Sequence, residues 1–221
     1  SRYWLSTMLH ELGHGVYSSK NIPAAMPYVL RTDAHPLTTE GIAMMFERFV
    51  DSAEWLGQMG VAVRDAAAYD RAAERLRRNR LLVFSRWCQV MLRFEVALYD
   101  NPEQDLNRLW WDLVEKYQEV RRPEDRNAPD YAAKLHIIQA PAYYHNYQMG
   151  ELFAAQVHEA LVRDVLGGGD PARAIYVGKQ AAGEFLKKKV FAPGRRLPWN
   201  ELTRHATGSE LNPKAFAAGL K

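Results

Sequence analysis

His10-Glu11-Leu12-Gly13-His14, close to the start of the 221-residue chain, is the stretch from which the rest can be read. Around it Trp4, Leu5, Met8, Leu9, Leu12 and Val16 recur at helical spacing, which predicts a helix from about Tyr3 to Ser18. On such a helix His10 and His14 stand one turn apart on one face, so both imidazoles can grip a single metal ion. Glu11 projects beside them and can act as general base toward a water activated by that metal. Gly13 and Gly15 are each unfavourable inside a helix by about 1 kcal/mol relative to alanine. A residue without a side chain at position 13 lets another backbone, or a substrate, come close.

Two histidines are one protein ligand short of a catalytic zinc site. Glu40 is the favoured third ligand, at the start of a second predicted helix from about Thr39 to Leu56. Two helices joined by a long loop can pack antiparallel and bring it to the metal. Asp33, His35 and Glu47 are the alternatives, and His35 would make a three-histidine site. Two histidines and one glutamate with an open position form a known catalytic zinc set, which favours Glu40. Without a metal, Glu40 reads as a first-turn carboxylate interacting with the helix dipole.

Helical periodicity dominates the remaining chain and strand signals are few, so the predicted fold class is all-α. The proline-punctuated stretch from Ser19 to Thr38 reads as a loop. A long helix is predicted from Val61 to Tyr99, with Leu81 to Leu98 apolar nearly all round and therefore buried. Glu103 to Val120 reads as another helix, and Trp110-Trp111 as core. Residues from Tyr131 to Ala142 have no clear period. A helix from about Tyr143 to Leu166 stops at Gly167-Gly168-Gly169, and Asp170-Pro171 is predicted to open a further helix that reaches Val190. Short helices should follow Pro198 and Pro213. The whole of 1–221 is expected to form a single helical catalytic region.

Lysine and arginine total 29 against 26 acidic residues, a net charge of +3 that gives no reason to expect nucleic acid as a partner. The basic runs Arg75 to Arg80 and Lys187 to Lys189 read as solvated helix faces. The single cysteine, Cys88, excludes an internal disulfide and a cysteine-built zinc cage, and its apolar neighbours predict a buried thiol. No uncharged apolar run is long enough for a transmembrane helix.

Taken in order, the motifs resemble the gluzincin peptidases of the angiotensin-converting enzyme and oligopeptidase families. His10-Glu11-Leu12-Gly13-His14 with Glu40 is similar to their metal set, and Glu40 to Glu47 resembles the third-ligand helix of oligoendopeptidase F and thimet oligopeptidase relatives. Trp110-Trp111 with Lys116-Tyr117-Gln118, Ala133-Lys134-Leu135-His136-Ile137, and Tyr144 to Tyr147 followed by His158-Glu159-Ala160-Leu161 are similar to stretches of angiotensin-converting enzyme. The resemblance implies zinc held by His10, His14 and Glu40, and Glu11 as the base that later protonates the leaving amine. It implies Lys134 and Tyr144 as receptors for a substrate C-terminal carboxylate. It also implies His136 on a substrate carbonyl or the tetrahedral intermediate, and Tyr147 as donor to the oxyanion. The substrate class would be peptides and the reaction release of C-terminal dipeptides. Alternatives are an oligoendopeptidase, or a non-catalytic truncated scaffold that binds a partner.

Three departures stand out. One extra residue between His136 and Tyr144 makes Tyr143 a competitor for the carboxylate role. Asn146 stands where that family has a chloride-binding arginine, so chloride activation is not carried over. Met44 replaces an aspartate that orients a zinc histidine, so that task must pass elsewhere, Glu47 being the candidate, or be lost. Family members are much longer, so the chain is expected to be the C-terminal part of a larger peptidase whose N-terminal portion completes the cleft.

Overall fold

A computed structural model describes residues 1–220, and they fold as helices joined by loops, with no strand among the described residues. The helices are α1 (Arg2–Ser18), α2 (Pro36–Glu47), α3 (Ala53–Gln58), α4 (Ala66–Asp100), α5 (Leu106–Gln118), α6 (Leu135–Ile138), α7 (His145–Asp164), α8 (Gln180–Leu186), α9 (Trp199–Thr207) and α10 (Lys214–Ala218). The all-α class read from periodicity is the observed one. No helix among the described residues is long and apolar enough to cross a membrane. The chain divides into two compact units, residues 1–77 with 149–221, and residues 78–148.

The first unit is built on the crossing of α1 and α2. A Cβ added to Gly13 would lie 2.6 Å from the Cα of Ala43, closer than real Cβ atoms come to anything. The missing side chain is therefore what lets the two backbones meet. A second close approach repeats the device: a Cβ on Gly41 would lie 2.8 Å from the carbonyl oxygen of Gly150, on α7. Tyr17, Leu37, Ile42, Phe153, Val157, Leu161, Phe191 and Leu202 fill the interior. Tyr17 is wholly buried against Phe191, with ring centroids 5.0 Å apart. Its hydroxyl accepts from the Ala34 N–H at 3.3 Å, so the loop ahead of α2 is tied to α1 by a satisfied buried polar group. Burial pushes the Tyr17 phenol pKa up.

Two sequence expectations in this unit fail for physical reasons. The helix expected from Thr39 to Leu56 breaks after Glu47 into a 3-10 turn, Arg48–Asp51, and then α3. There the Val50 carbonyl accepts from the Tyr69 hydroxyl at 2.6 Å, the Ala53 N–H donates to Asp70 Oδ1 at 2.8 Å, and Ser52 Oγ caps Trp55 N–H. Tertiary partners have taken the groups a continuous helix would pair internally. The helix expected from Pro171 does not begin until Gln180. His158 Nε2 donates to the Pro171 carbonyl at 2.7 Å, Asp170 Oδ1 caps only the Ala172 N–H, and Gly178 has φ +70°. Ile175 and Val177 pack instead on Leu9, Val50, Trp55 and Leu56.

The second unit packs the later part of α4 on α5, α6 and the start of α7. Cys88 is buried, as expected, and so are Val90, Met91, Phe94, Trp110, Val114 and Ile137. The stretch from Leu81 to Leu98 is not buried all round: Leu82, Val83 and Val96 are 49%, 57% and 60% exposed. Residues 131–142, unassigned from sequence, hold a 3-10 turn at Asp130–Ala133 and the single turn of α6.

Gly13→Ala should lower stability by about 1–3 kcal/mol, because the crowding is against backbone and cannot relax through a rotamer. Gly15→Ala, whose Cβ would meet nothing within 4 Å, should raise it by about 0.5–1 kcal/mol through helix propensity. Thermal unfolding of the two variants checks the pair, and equal midpoints would contradict the close crossing.

Candidate metal centre

The α1–α2 crossing places the metal-ligating side chains. His10 and His14 face each other with Nε2 atoms 3.2 Å apart. Glu40 Oε2 lies 3.5 Å from His10 Nε2 and 3.7 Å from His14 Nε2. A tetrahedral cation with ligand bonds of about 2.0–2.2 Å puts neighbouring ligand atoms about 3.3–3.6 Å apart. The three observed spacings fall close to that edge length, and the donor set, two imidazole nitrogens and one carboxylate oxygen, suits zinc. The group therefore fits the ion, with one coordination position left to water or substrate. Asp33 and His35, alternatives in the sequence reading, lie outside it. His35 caps α2, its Nδ1 accepting from the Leu37 N–H at 3.3 Å, and Asp33 accepts from the Thr32 hydroxyl.

A second ring of contacts fixes the imidazoles. His10 Nδ1 donates to Glu47 Oε2 at 3.0 Å, and His14 Nδ1 lies 2.8 Å from Thr39 Oγ1, a hydroxyl that can donate or accept. Glu47, an acceptor only, places a proton on His10 Nδ1, and with a cation in the site both Nε2 atoms, which face Glu40, would be the ligating nitrogens. Thr39, Glu40, Ala43 and Glu47 share one face of α2. Thr39 pairs with His14 while Glu47 pairs with His10, so the helices run antiparallel, as expected. Glu47 takes up the orienting task that Met44, itself 4% exposed in the core, cannot perform. Thr39 was not anticipated; its only sequence signal is its place beside Glu40 on the helix.

Burial disfavours the His10 imidazolium, but Glu40 and Glu47 outweigh it and raise the pKa to about 9. Without metal, that charge contributes stability fully below the unfolded value near 6.5, and the contribution is lost as pH rises through about 9. A cation entering the site displaces the proton. Glu11 lies on the solvent-exposed flank of α1.

The other residues singled out from sequence lie in the second unit and are brought together there. His136 Nε2 and the Tyr147 hydroxyl are 2.9 Å apart. Tyr144 packs edge-on against both, with centroid distances of 4.9 Å to His136 and 5.0 Å to Tyr147. Burial raises the Tyr144 pKa to about 12, so its hydroxyl keeps its proton and remains a donor at neutral pH. Tyr143 lies nearly parallel to the His136 ring at 6.3 Å. The Lys134 ammonium sits 5.2 Å from the Trp87 ring centroid, a cation–π contact. Asn146 is 3% exposed.

Replacing Glu47 by glutamine removes the anionic partner of His10 while keeping its shape. Glu47→Gln should weaken zinc binding by about 10–100-fold, measured by competition with a chelating indicator. An affinity equal to that of the unsubstituted protein would contradict the orienting role.

The family model described as Angiotensin-converting enzyme matches residues 3–218. Angiotensin-converting enzyme of Theromyzon tessulatum is 25% identical over 99% of this chain and 36% of its own length. The Mesocricetus auratus protein of the same name is 26% identical over 93% of this chain and 16% of its own length. Angiotensin-converting enzyme-like protein Ace3 of Mus musculus is 25% identical over 98% and 30%. The chain thus spans little more than a third, at most, of these relatives. The crystal structure of BsuCP superposes with a TM-score of 0.69 at 20% identity, covering 96% of this chain and 46% of that one, a likeness of fold. Of the two families that the motifs resemble, these sequence matches fall on the angiotensin-converting enzyme side, and with a family model covering nearly its whole length the chain belongs to the angiotensin-converting enzyme family of peptidases.

Proposed function

We propose that this chain carries the zinc-binding part of a metallopeptidase that releases dipeptides from peptide C-termini. The observation that carries the reading is the near-tetrahedral spacing of His10, His14 and Glu40, with Glu11 beside them in sequence, in a member of a peptidase family. A zinc ion bound there would polarise the scissile carbonyl and lower the pKa of its water toward about 7. Glu11 takes the proton of the attacking water and hands it to the leaving amine. The Tyr147 hydroxyl and the His136 imidazole, 2.9 Å apart, are the groups assigned to the oxyanion, and the hydrogen bond between them opens for both to donate. Lys134 and Tyr144 are the assigned receptors for the substrate's terminal carboxylate: a cation and a protonated phenol both donate to it. Because the chain spans 36% of the Theromyzon relative, the proposal includes a further portion that completes the cleft, and the activity is proposed for the whole protein.

Two measurements on the full-length protein test this. Glu11→Gln should retain zinc and lose about 100- to 10,000-fold in kcat on a quenched peptide, the usual worth of a general base. Zinc-loaded protein that cleaves nothing with or without Glu11 would leave the scaffold reading standing. Lys134→Ala should raise KM for free-acid peptides far more than for C-terminally amidated ones. Equal loss on both would remove the carboxylate role and favour endopeptidase action.

A further inference from the structure

The second unit holds a tryptophan that the roles so far assigned do not use. Trp87 lies on α4, half-buried beside the cluster of Val90, Met91, Phe94 and Trp110. Its ring meets Trp110 edge-to-face at 5.7 Å and 88°, and Trp110 in turn meets Phe94 edge-to-face at 5.2 Å. Such pairs fix ring orientation as well as burying area. The Lys134 ammonium rests on this fixed ring, 5.2 Å from its centroid, and Tyr144 packs on the same cluster.

A lysine carries a flexible four-carbon stem and loses rotamer entropy when it is held in one place. An aromatic face holds the ammonium without consuming its N–H donors, as a carboxylate would. The Asp130 carboxylate, held below its usual range by Arg126 first and by the charge of Lys134 last, accepts from Trp111 Nε1 at 3.0 Å and from Arg126. Lys134 is therefore anchored on a ring and keeps its donors.

We propose that Trp87 is the positioning residue of the carboxylate receptor, holding the Lys134 ammonium in place and so setting the preference of the protein for substrates with a free C-terminal carboxylate. This rests on the carboxylate role assigned to Lys134 and Tyr144 above. Trp87 touches neither the reacting atoms nor the metal. Its loss should act through KM for free acids rather than through kcat.

The test uses the full-length protein and two quenched peptides that differ only in ending as a carboxylate or a carboxamide. Trp87→Leu removes the aromatic face; Trp87→Phe keeps one. The free-acid preference should fall by about 3- to 30-fold in Trp87→Leu, through KM, and by less in Trp87→Phe. Combining Trp87→Leu with Lys134→Ala should cost less than the sum of the two single changes, since both remove one contact. Trp87→Phe, alone and combined with Lys134→Ala, carries the test if Trp87→Leu unfolds. The proposal is overturned if Lys134→Ala abolishes the preference while folded Trp87 variants keep it. It also falls if the Trp87 and Lys134 changes add independently. An unsubstituted protein that cleaves both peptides equally overturns the carboxylate reading itself, and this inference with it.

Discussion

The contact on which the metal group depends is the one between Gly13 and Ala43, where α1 and α2 touch backbone to backbone. Here the ligand set is drawn from two helices whose backbones touch, where typical interaxial distances of about 8–10 Å depend on the residues at the contact. Gly13 lies between the two histidines in sequence, so the point of closest approach and the point of metal binding coincide. This accounts for a glycine inside the five-residue motif, where helix propensity alone would choose alanine. Gly41 and Gly150 extend the logic to the far side of α2, which is gripped from both faces.

Once that crossing is made, α2 supplies more than a ligand. Its one face presents Thr39, Glu40 and Glu47 to the two imidazoles, so ligand and orienting partners arrive on a single rigid element. Elements of secondary structure hold such geometry better than loops do. Two carboxylates around His10 also mean that the site is anionic before any metal enters, and it holds a proton at neutral pH in the cation's place. The site thereby favours a divalent cation electrostatically while making its capture dependent on pH.

The second unit solves a different problem with aromatic rings. His136, Tyr143, Tyr144 and Tyr147 stack and tilt against one another, with Phe84 behind Tyr144 and Tyr147. Rings with two rotatable bonds cost little entropy to fix, so hydroxyl and imidazole donors on them are held ready without a dense network of charges. Trp87 belongs to the same economy, lending its face to a lysine.

What the sequence determined by itself was local. The turn from His10 to His14, the helical class, the buried Cys88 and Trp110, and the choice of Glu40 follow from spacing, composition and donor chemistry, all of which act within a few residues or on residue type alone. What the tertiary structure decided concerns which groups meet across elements. The break after Glu47 came from Tyr69 and Asp70 claiming backbone groups, and the late start of α8 came from His158 claiming the Pro171 carbonyl. Thr39 as partner of His14 and Trp87 as platform for Lys134 have no signature along the chain, because each depends on which faces of two helices or loops meet. Helical period tells which residues share a face; only the crossing, set here by the absent Cβ of Gly13, tells what that face meets.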